Sequence, residues 1–410
     1  MTTFTTLLSP REAREAFARA YTPRPTGTEW VPLLQAFGRV LDEEIRAGSD
    51  LPAFDRSAVD GYAVRAADTA GATSGAPVPL VLGGEIVMGE PAGLRVDGGH
   101  AARIPTGGAL PDGADAVVMQ EYAVRADRTV RVERPAEAGE NVTRRGEDLR
   151  AGDLVLRRGR RLRPADVGLL AGLNRPGVEV YARPKVALIM TGDELLSPGH
   201  ESRPGQIYDM NTYALSGYIE ESGGLPVPYG IVGDSLHRVI DRAQGAHRST
   251  DVVILSGGSS VGERDVVADA IAALGEPGII VHGISIKPGK PTILALANGK
   301  PVFGLPGNVV SALIVYHEFV RPVIEALAGL RDDRRPGRWV RARMARTITA
   351  RDREDHVRVA LVERDGTLWA TPVPGGSAIM TSMVRSDGVV VVPAHASAAE
   401  GSEVEVEILG

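Results

Sequence analysis

Three loops between residues 191 and 291 of the 410-residue sequence combine residue types that bind anions and divalent cations. The apolar run KVALIM leads directly into Thr191-Gly192-Asp193-Glu194, which sets a hydroxyl, a flexible backbone and two carboxylates at a strand's carboxyl end. Such a group can hold a divalent cation or accept protons, although Thr191 and Asp193 would also serve a plain turn. The run DVVILS enters a loop over 256–265 rich in glycine and serine, ending at Asp265 before a helical stretch. Its glycines allow backbone N–H groups to converge on a phosphate, and Asp265 stands where that phosphate would need a metal; the simpler reading is that Asp265 stabilises the helix start. Lys287-Pro288-Gly289-Lys290-Pro291 has two prolines that forbid regular helix and a glycine bend that can aim two ammonium groups at one oxyanion, unless it is only a solvated turn. Leu305-Pro306-Gly307-Asn308 then caps a further helix with Asn308.

Two motif matches fail on context. Gly258-Ser259-Ser260-Val261-Gly262 fits the nucleophile-elbow pattern, but Ser260 lies several residues beyond the expected strand end. The lysine-rich loop is not a Walker loop, because Ile284 occupies the first glycine position and Pro291 replaces the Ser/Thr. The eight histidines show no paired ligand spacing, and cysteine is absent, which removes thiolate nucleophiles, disulfides and thiolate zinc sites.

The elements that must position these loops follow from periodicity. From 184 to 331 apolar strands alternate with helical segments near 211–222, 235–247 and 264–274, with a last helix from Asn308 that Pro322 should kink or end. This is the pattern of a mostly parallel α/β sheet, in which ligands bind beyond the strands' carboxyl ends. Residues 51–142 read as an inserted β-domain of short runs cut by glycine and proline. An N-terminal and linking helical region is expected over 1–50 and 143–183. It opens with the capping box Ser9-Pro10-Arg11-Glu12 and a helix over 9–21, and carries a short helix from about Pro164 to Leu173. Residues 332–410 alternate strictly and form a terminal β-domain, with Asp365-Gly366 as a hairpin turn. Asp60-Gly61 also reads as a turn when taken alone.

Composition agrees with a multidomain globular chain: 43% hydrophobic and 24% charged residues, with 49 glycines and 28 prolines, nearly a fifth of the chain against a usual share of about 12%. A net charge of −6 supplies no global field to hold nucleic acid or an anionic membrane, and no apolar run is long enough to span a bilayer. The opening MTTFTTLLSPREAREAF carries neither a basic leader nor an apolar core, so a cytoplasmic protein is expected.

Seven motifs in order, FDRSAVDGYAV, RIPTGGALPDGADAVVMQE, RRGEDL, TGDEL, SGGSSVGERD, IKPGKP and GLPGN, closely resemble the molybdopterin molybdenumtransferase family, the molybdenum insertases that include the C-terminal domain of gephyrin. The resemblance spans roughly Ser9 to the end. It implies a homodimer of elongated subunits, each with an α/β molybdopterin-binding domain, an inserted β-domain and a C-terminal β-barrel. The active site would lie between the α/β domain of one subunit and the β-domain of the other. The implied reaction inserts molybdenum from molybdate into adenylylated molybdopterin and releases AMP with the help of a divalent cation, Mg2+. It also implies contacts with molybdopterin adenylyltransferase and with molybdoenzymes. Alternatives within the same fold are a non-catalytic molybdopterin-binding scaffold and the adenylyltransferase itself.

Carried over residue by residue, the resemblance places functional carboxylates at Asp60, Asp148, Glu194, Asp234 and Asp265, a functional hydroxyl at Thr106 and cations at Lys287 and Lys290. Asp60, Glu194, Asp265, Lys287 and Lys290 are the candidate catalytic residues, with Asp265 and Glu194 as metal ligands. Substrate binding falls to Thr106, Asp148, Thr191, Gly192, Asp234, Gly257, Gly258, Ser259, Pro306, Gly307, Asn308, Arg358 and Ser377. One departure is Gly283, where some relatives carry lysine; His282 or nearby arginines are the groups available to replace it.

Overall fold

The computed structural model describes residues 7–257, 265–331 and 339–409. By internal packing the chain divides into two compact units, one made of residues 44–158 and 164–176, the other of 1–43, 159–163 and 177–410.

The first unit is built on a six-stranded sheet in the spatial order Ala116–Met119, Gly61–Val64, His100–Ile104, Val78–Glu85, Thr129–Val132, Ala123–Ala126. All four residues of Gly61–Val64 are buried, because the strand separates two small cores, one around Tyr62, Val64, Leu80 and Val130, the other around Ala63, Ala102, Ile104 and Val117. Asp60-Gly61 is therefore not a hairpin turn: Gly61 opens the strand. A Cβ there would fall 2.0 Å from the Val118 carbonyl oxygen, so the glycine is required by the approach of the neighbouring strand. The helix Pro164–Gly172 belongs to the same unit.

The second unit holds a six-stranded sheet ordered Leu225–Val232, Lys185–Thr191, Val252–Ser256, Lys300–Leu305, Ile293–Ala297, Pro277–His282. The first four strands run parallel, Ile293–Ala297 runs against them, and Pro277–His282, antiparallel to Ile293–Ala297, resumes their direction. KVALIM is continuously apolar because both sheet faces are covered. Val186, Leu188 and Met190 enter one core, while Ala187 and Ile189 enter the other. The helices Asn211–Glu221, Leu236–Ser249 and Val266–Ala272 fall near the expected positions. The capping box forms at the first helix, Pro10–Ala20, where the Ser9 N–H donates to Glu12 Oε2 at 2.8 Å and the Glu12 N–H to Ser9 Oγ at 3.3 Å. Ala13 and Phe17, one helical turn apart, bury against the sheet, with the Phe17 and Phe303 ring centroids 5.6 Å apart.

Pro322 does not end the last helix. Val309–Val315 passes through a π segment, Tyr316–Val320, and resumes as Arg321–Leu327, so that Pro322 sits in a first helical turn where its missing donor costs little. The run GIIVHGISI is likewise two strands: Gly283, at φ +88°, ends Pro277–His282, and Ile286–Lys287 leaves to pair in parallel with Glu354–Arg364. The terminal sheet, Glu354–Arg364, Thr367–Pro372, Trp339–Met344, Glu403–Ile408 and Gly388–Val392, closes into a barrel through pairing of its first and last strands. Asp365 and Gly366 form the expected hairpin turn, both with positive φ. Ile286–Lys287 thus suspends the KPGKP turn between the α/β sheet and the barrel.

Candidate functional site: two adjoining clefts

At the carboxyl ends of strands Lys185–Thr191, Val252–Ser256 and Lys300–Leu305 lies a cleft of 460 Å³. Glu194, Asp209 and Asp234 line it, together with Thr191, Gly192, Asn211, Gly257, Gly307 and Asn308. Its floor depends on glycine. A Cβ on Gly257, at φ +131°, would fall 2.1 Å from the Thr191 carbonyl oxygen, and one on Gly192 would fall 2.6 Å from the Glu194 carboxylate. Thr191 is buried, and its hydroxyl has no hydrogen-bond partner among the described residues.

Asn211, which the sequence presents only as a helix start, binds the floor together. Its Nδ2 donates to Ser256 Oγ at 2.9 Å and to the Gly307 carbonyl at 3.0 Å, and Ser256 Oγ donates to the Pro306 carbonyl at 3.1 Å. Both carbonyls of the Pro306-Gly307 segment are therefore fixed toward Asn211 and Ser256, which orients Asn308 beyond them. Burial first, and then the negative charge of Asp193, push the Asp234 carboxyl above the ordinary aspartate range. Three carboxylates line this cleft, the oxygen donors that a hard cation takes.

A second cleft, of 620 Å³, lies between the KPGKP turn and the barrel, and Asn308 lines both. Asn308 Nδ2 donates to Ser377 Oγ at 3.1 Å across the shared wall. The sequence-derived residues Lys287, Lys290, Arg358 and Ser377 all line this second cleft. Arg346, Arg353 and His356 join them, and sequence reasoning missed these three because they fall in an alternating β pattern whose charges look like a solvent face. Lys287 Nζ donates to Asp355 Oδ2 at 2.7 Å. Arg358 is 8% exposed; its Nη2 donates to the Gly375 carbonyl at 2.5 Å, while Nε has no partner among the described residues. Burial holds this guanidinium below its ordinary value, although Asp355 opposes the shift, so a buried charge stands ready for an anion that would offset its desolvation. Gly283 has a backbone that lysine would adopt only with strain, and its neighbour His282 is engaged with Asp265 at 3.6 Å, whereas Arg346 and Arg353 line this cleft.

Asp265 caps the helix Val266–Ala272, accepting from the Ala268 N–H at 3.1 Å. Val266 lines the acidic cleft beside Glu194, but Asp265 is not among the cleft's lining residues. No group of three or more His, Asp or Glu side chains forms a metal cage among the described residues. Gly258 and Ser259 lie outside the described residues, as does Ser260 of the nucleophile-elbow match.

In the other unit, three polar glycine motifs meet. The Ser57 N–H donates to the Gly108 carbonyl and the Gly107 N–H to the Ser57 carbonyl, while Arg56–Ser57 pairs with Val142–Thr143. Asp60 and Thr106 are brought together directly: the Thr106 N–H and hydroxyl donate to Asp60 Oδ1 at 2.7 and 2.9 Å. The backbone bond first, then the hydroxyl, hold the Asp60 carboxyl below its ordinary range, with Arg103 adding to the effect. Asp148 is exposed, with its N–H on the Leu51 carbonyl. At neutral pH Asp60 is thus an anion and hydrogen-bond acceptor, poorly matched to donating a proton. Because the folded-state value is depressed, this pairing contributes stability above the ordinary carboxylate range and loses it as pH falls through the depressed value. Thr106→Val keeps the backbone bond and deletes the hydroxyl; the Asp60 titration followed by carboxyl NMR should move up toward the ordinary value. An unmoved titration would show that the hydroxyl bond is not formed in solution.

Three family descriptions match the chain in succession: the MoeA N-terminal region (domain I and II) over residues 8–174, a probable molybdopterin binding domain over 187–326, and the MoeA C-terminal region (domain IV) over 341–409. The molybdopterin molybdenumtransferase of a Nostoc species is 38% identical over 306 residues, covering 74% of this chain and 70% of that protein. Molybdopterin molybdenumtransferase 2 of Mycobacterium tuberculosis is 34% identical over 384 residues, covering 92% and 94%. The crystal structure of the molybdopterin biosynthesis MoeA protein from Pyrococcus horikoshii superposes with a TM-score of 0.82 at 31% identity, over 98% of this chain and 100% of that one.

Proposed function

The chain belongs to the molybdopterin molybdenumtransferase family, and from that premise we propose that it inserts molybdenum from molybdate into adenylylated molybdopterin, releasing AMP. The observation that carries this reading is the pair of clefts divided by Asn308, one lined by carboxylates and the other by cations around the buried Arg358 guanidinium. A phosphorylated substrate and a compact oxyanion can then be held on either side of one wall, which is what transfer between them needs.

In the basic cleft, Lys287, Lys290 and Arg358 bind molybdate, and Arg358 Nε gains the acceptor it lacks among the described residues. Ser377 and Asn308, already hydrogen-bonded to each other, hold the wall and offer polar atoms to the oxygens. In the acidic cleft, Thr191, Gly192, Gly257 and Gly307 bring backbone and hydroxyl groups against the substrate, and Asn211 keeps that backbone in place. The oxygen donors there suit magnesium, which Glu194 would hold with help from the substrate's phosphates, since magnesium usually takes only one or two protein carboxylates; Asp265, which does not line the cleft, would have to turn from its cap on the Ala268 N–H to be the second ligand. Bound there, the cation would supply charge neutralisation at the pyrophosphate as its anhydride bond breaks. Burial and Asp193 push the Asp234 carboxyl toward its neutral form, and a cation bound nearby would favour the ionised form. In the proposed homodimer Asp60, Thr106 and Asp148 serve as substrate-binding residues, with Asp60 assigned to binding as an anion rather than to acid catalysis.

We further propose a homodimer working in the cytoplasm, in contact with molybdopterin adenylyltransferase and with molybdoenzymes that receive the product. No described helix is long and apolar enough to cross a membrane. The adenylyltransferase reading is disfavoured, because matched regions at 8–174 and 341–409 lie outside the pterin-binding domain that such an enzyme resembles. The decisive experiment against a scaffold is reconstitution. Purified protein supplied with adenylylated molybdopterin, magnesium and molybdate should activate a cofactor-free molybdoenzyme, and tight ligand binding without activation would favour the scaffold.

A further inference from the structure

We propose that His356 transfers a proton to the oxide that molybdate gives up, an inference that rests on the molybdenum-transfer reading of the basic cleft. Along Glu354–Arg364, Val357, Val359 and Leu361 turn into the barrel core, so Glu354, His356 and Arg358 share the opposite face. His356 is 5% exposed, yet it lines the cleft two residues from Arg358. Its Nε2 lies 3.0 Å from Glu354 Oε1. With Nε2 engaged by a carboxylate, Nδ1 is the ring nitrogen left to exchange a proton.

The remaining titratable groups around the cleft are poor proton carriers. Lys287 and Lys290 on the KPGKP turn serve as the cations that hold molybdate. Arg346 and Arg353, from the loops flanking the strand Ile348–Thr349, and Arg358 on the same strand as His356 are guanidinium groups that do not deprotonate in proteins. Asp355 is ion-paired with Lys287. Imidazole is the side chain that both gives and regains a proton between about pH 5 and 8, and His356 is the one imidazole among the described residues lining this cleft.

The reaction requires such a group. Two S–H bonds of the dithiol and one Mo–O bond break, two Mo–S bonds form, and the departing oxide leaves as water with the two thiol protons. Molybdenum keeps its oxidation state, and no outside oxidant or reductant is needed. His356 as imidazolium gives one proton to the leaving oxide and is reloaded from a thiol, while Glu354 holds the ring in place.

The test uses full-length protein in single-turnover AMP release with adenylylated molybdopterin, magnesium and molybdate across pH, beside calorimetric titration with molybdate alone. His356→Gln should slow turnover about 100-fold at unchanged molybdate Kd and remove one ionisation from the pH–rate profile. In His356→Ala, free imidazole should restore part of the rate, which a purely structural loss would not permit. His356→Gln with the wild-type rate, with an unaltered pH profile, or with a rate loss matched by lost molybdate affinity would overturn the proposal. A wild-type protein that binds molybdate but transfers none removes the premise and the inference together, whereas transfer equal in wild type and His356→Gln removes the inference alone.

Discussion

Replacing Arg358 by methionine is expected to cost molybdate affinity about 10- to 100-fold while leaving the protein as stable as before or more so. The two effects separate because the native guanidinium is buried with an N–H that finds no partner among the described residues. An unsatisfied buried donor costs about 1–3 kcal/mol, and methionine fills a similar volume without one. The bond of Nη2 to the Gly375 carbonyl is lost, but the desolvation of the charge is lost with it. With molybdate present the balance reverses, since a charge-assisted hydrogen bond contributes about 1.5–3 kcal/mol and each 1.4 kcal/mol is about tenfold in affinity. Calorimetric titration and thermal melts on the same preparations decide the matter. A variant that melts far earlier yet binds molybdate as wild type does would mean that Arg358 is a structural residue.

Gly257→Ala should be more damaging, lowering stability by about 3 kcal/mol and abolishing turnover even at temperatures where the variant is folded. The added Cβ meets the carbonyl oxygen and hydroxyl of Thr191 at 2.1 and 2.3 Å, and the first of these is backbone that no rotamer change can move. Its φ of +131° is also a conformation that alanine resists. Relief requires separating the ends of strands Lys185–Thr191 and Val252–Ser256, whose pairing reaches Met190 and Ser256. That displacement moves Ser256 away from Asn211 and the Pro306 carbonyl, so the wall between the clefts loses its anchor. Denaturant unfolding and single-turnover kinetics would record both effects; wild-type turnover in Gly257→Ala would show that the cleft floor tolerates the displacement.

The parts of the fold that were legible in the sequence rest on local physics. Ser9 and Glu12 make their box within one helical turn, Asp365-Gly366 adopts its paired positive φ values within one hairpin, and the α/β alternation needs only periodicity. Membership in the insertase family was legible for a different reason, since seven motifs in fixed order leave few alternatives. What escaped depends on partners far along the chain. Gly61 is a strand residue because Val118 comes close, not because Asp-Gly turns. Ile286–Lys287 leaves the α/β sheet because Glu354 and Asp355 offer it a parallel partner. The same long-range pairing turns Arg346, Arg353 and His356 into cleft residues, although in the sequence they are ordinary charges on alternating strands. Asn211 shows a similar limit: its role lies in the carbonyl of Gly307 and the hydroxyl of Ser256, both distant in sequence. Asp265 carries two readings at once, and the helix cap that it makes does not decide whether it also holds magnesium.

Molybdenum transfer by this protein requires that molybdate be joined to adenylylated molybdopterin across the wall at Asn308. It is tested most directly by counting AMP released against molybdenum retained in a single turnover, with and without molybdate. The two products should appear in equal amounts, with little AMP when molybdate is withheld and none of the retained metal when adenylylated molybdopterin is omitted. AMP released at the same rate without molybdate, or molybdate bound with no AMP released, would contradict it.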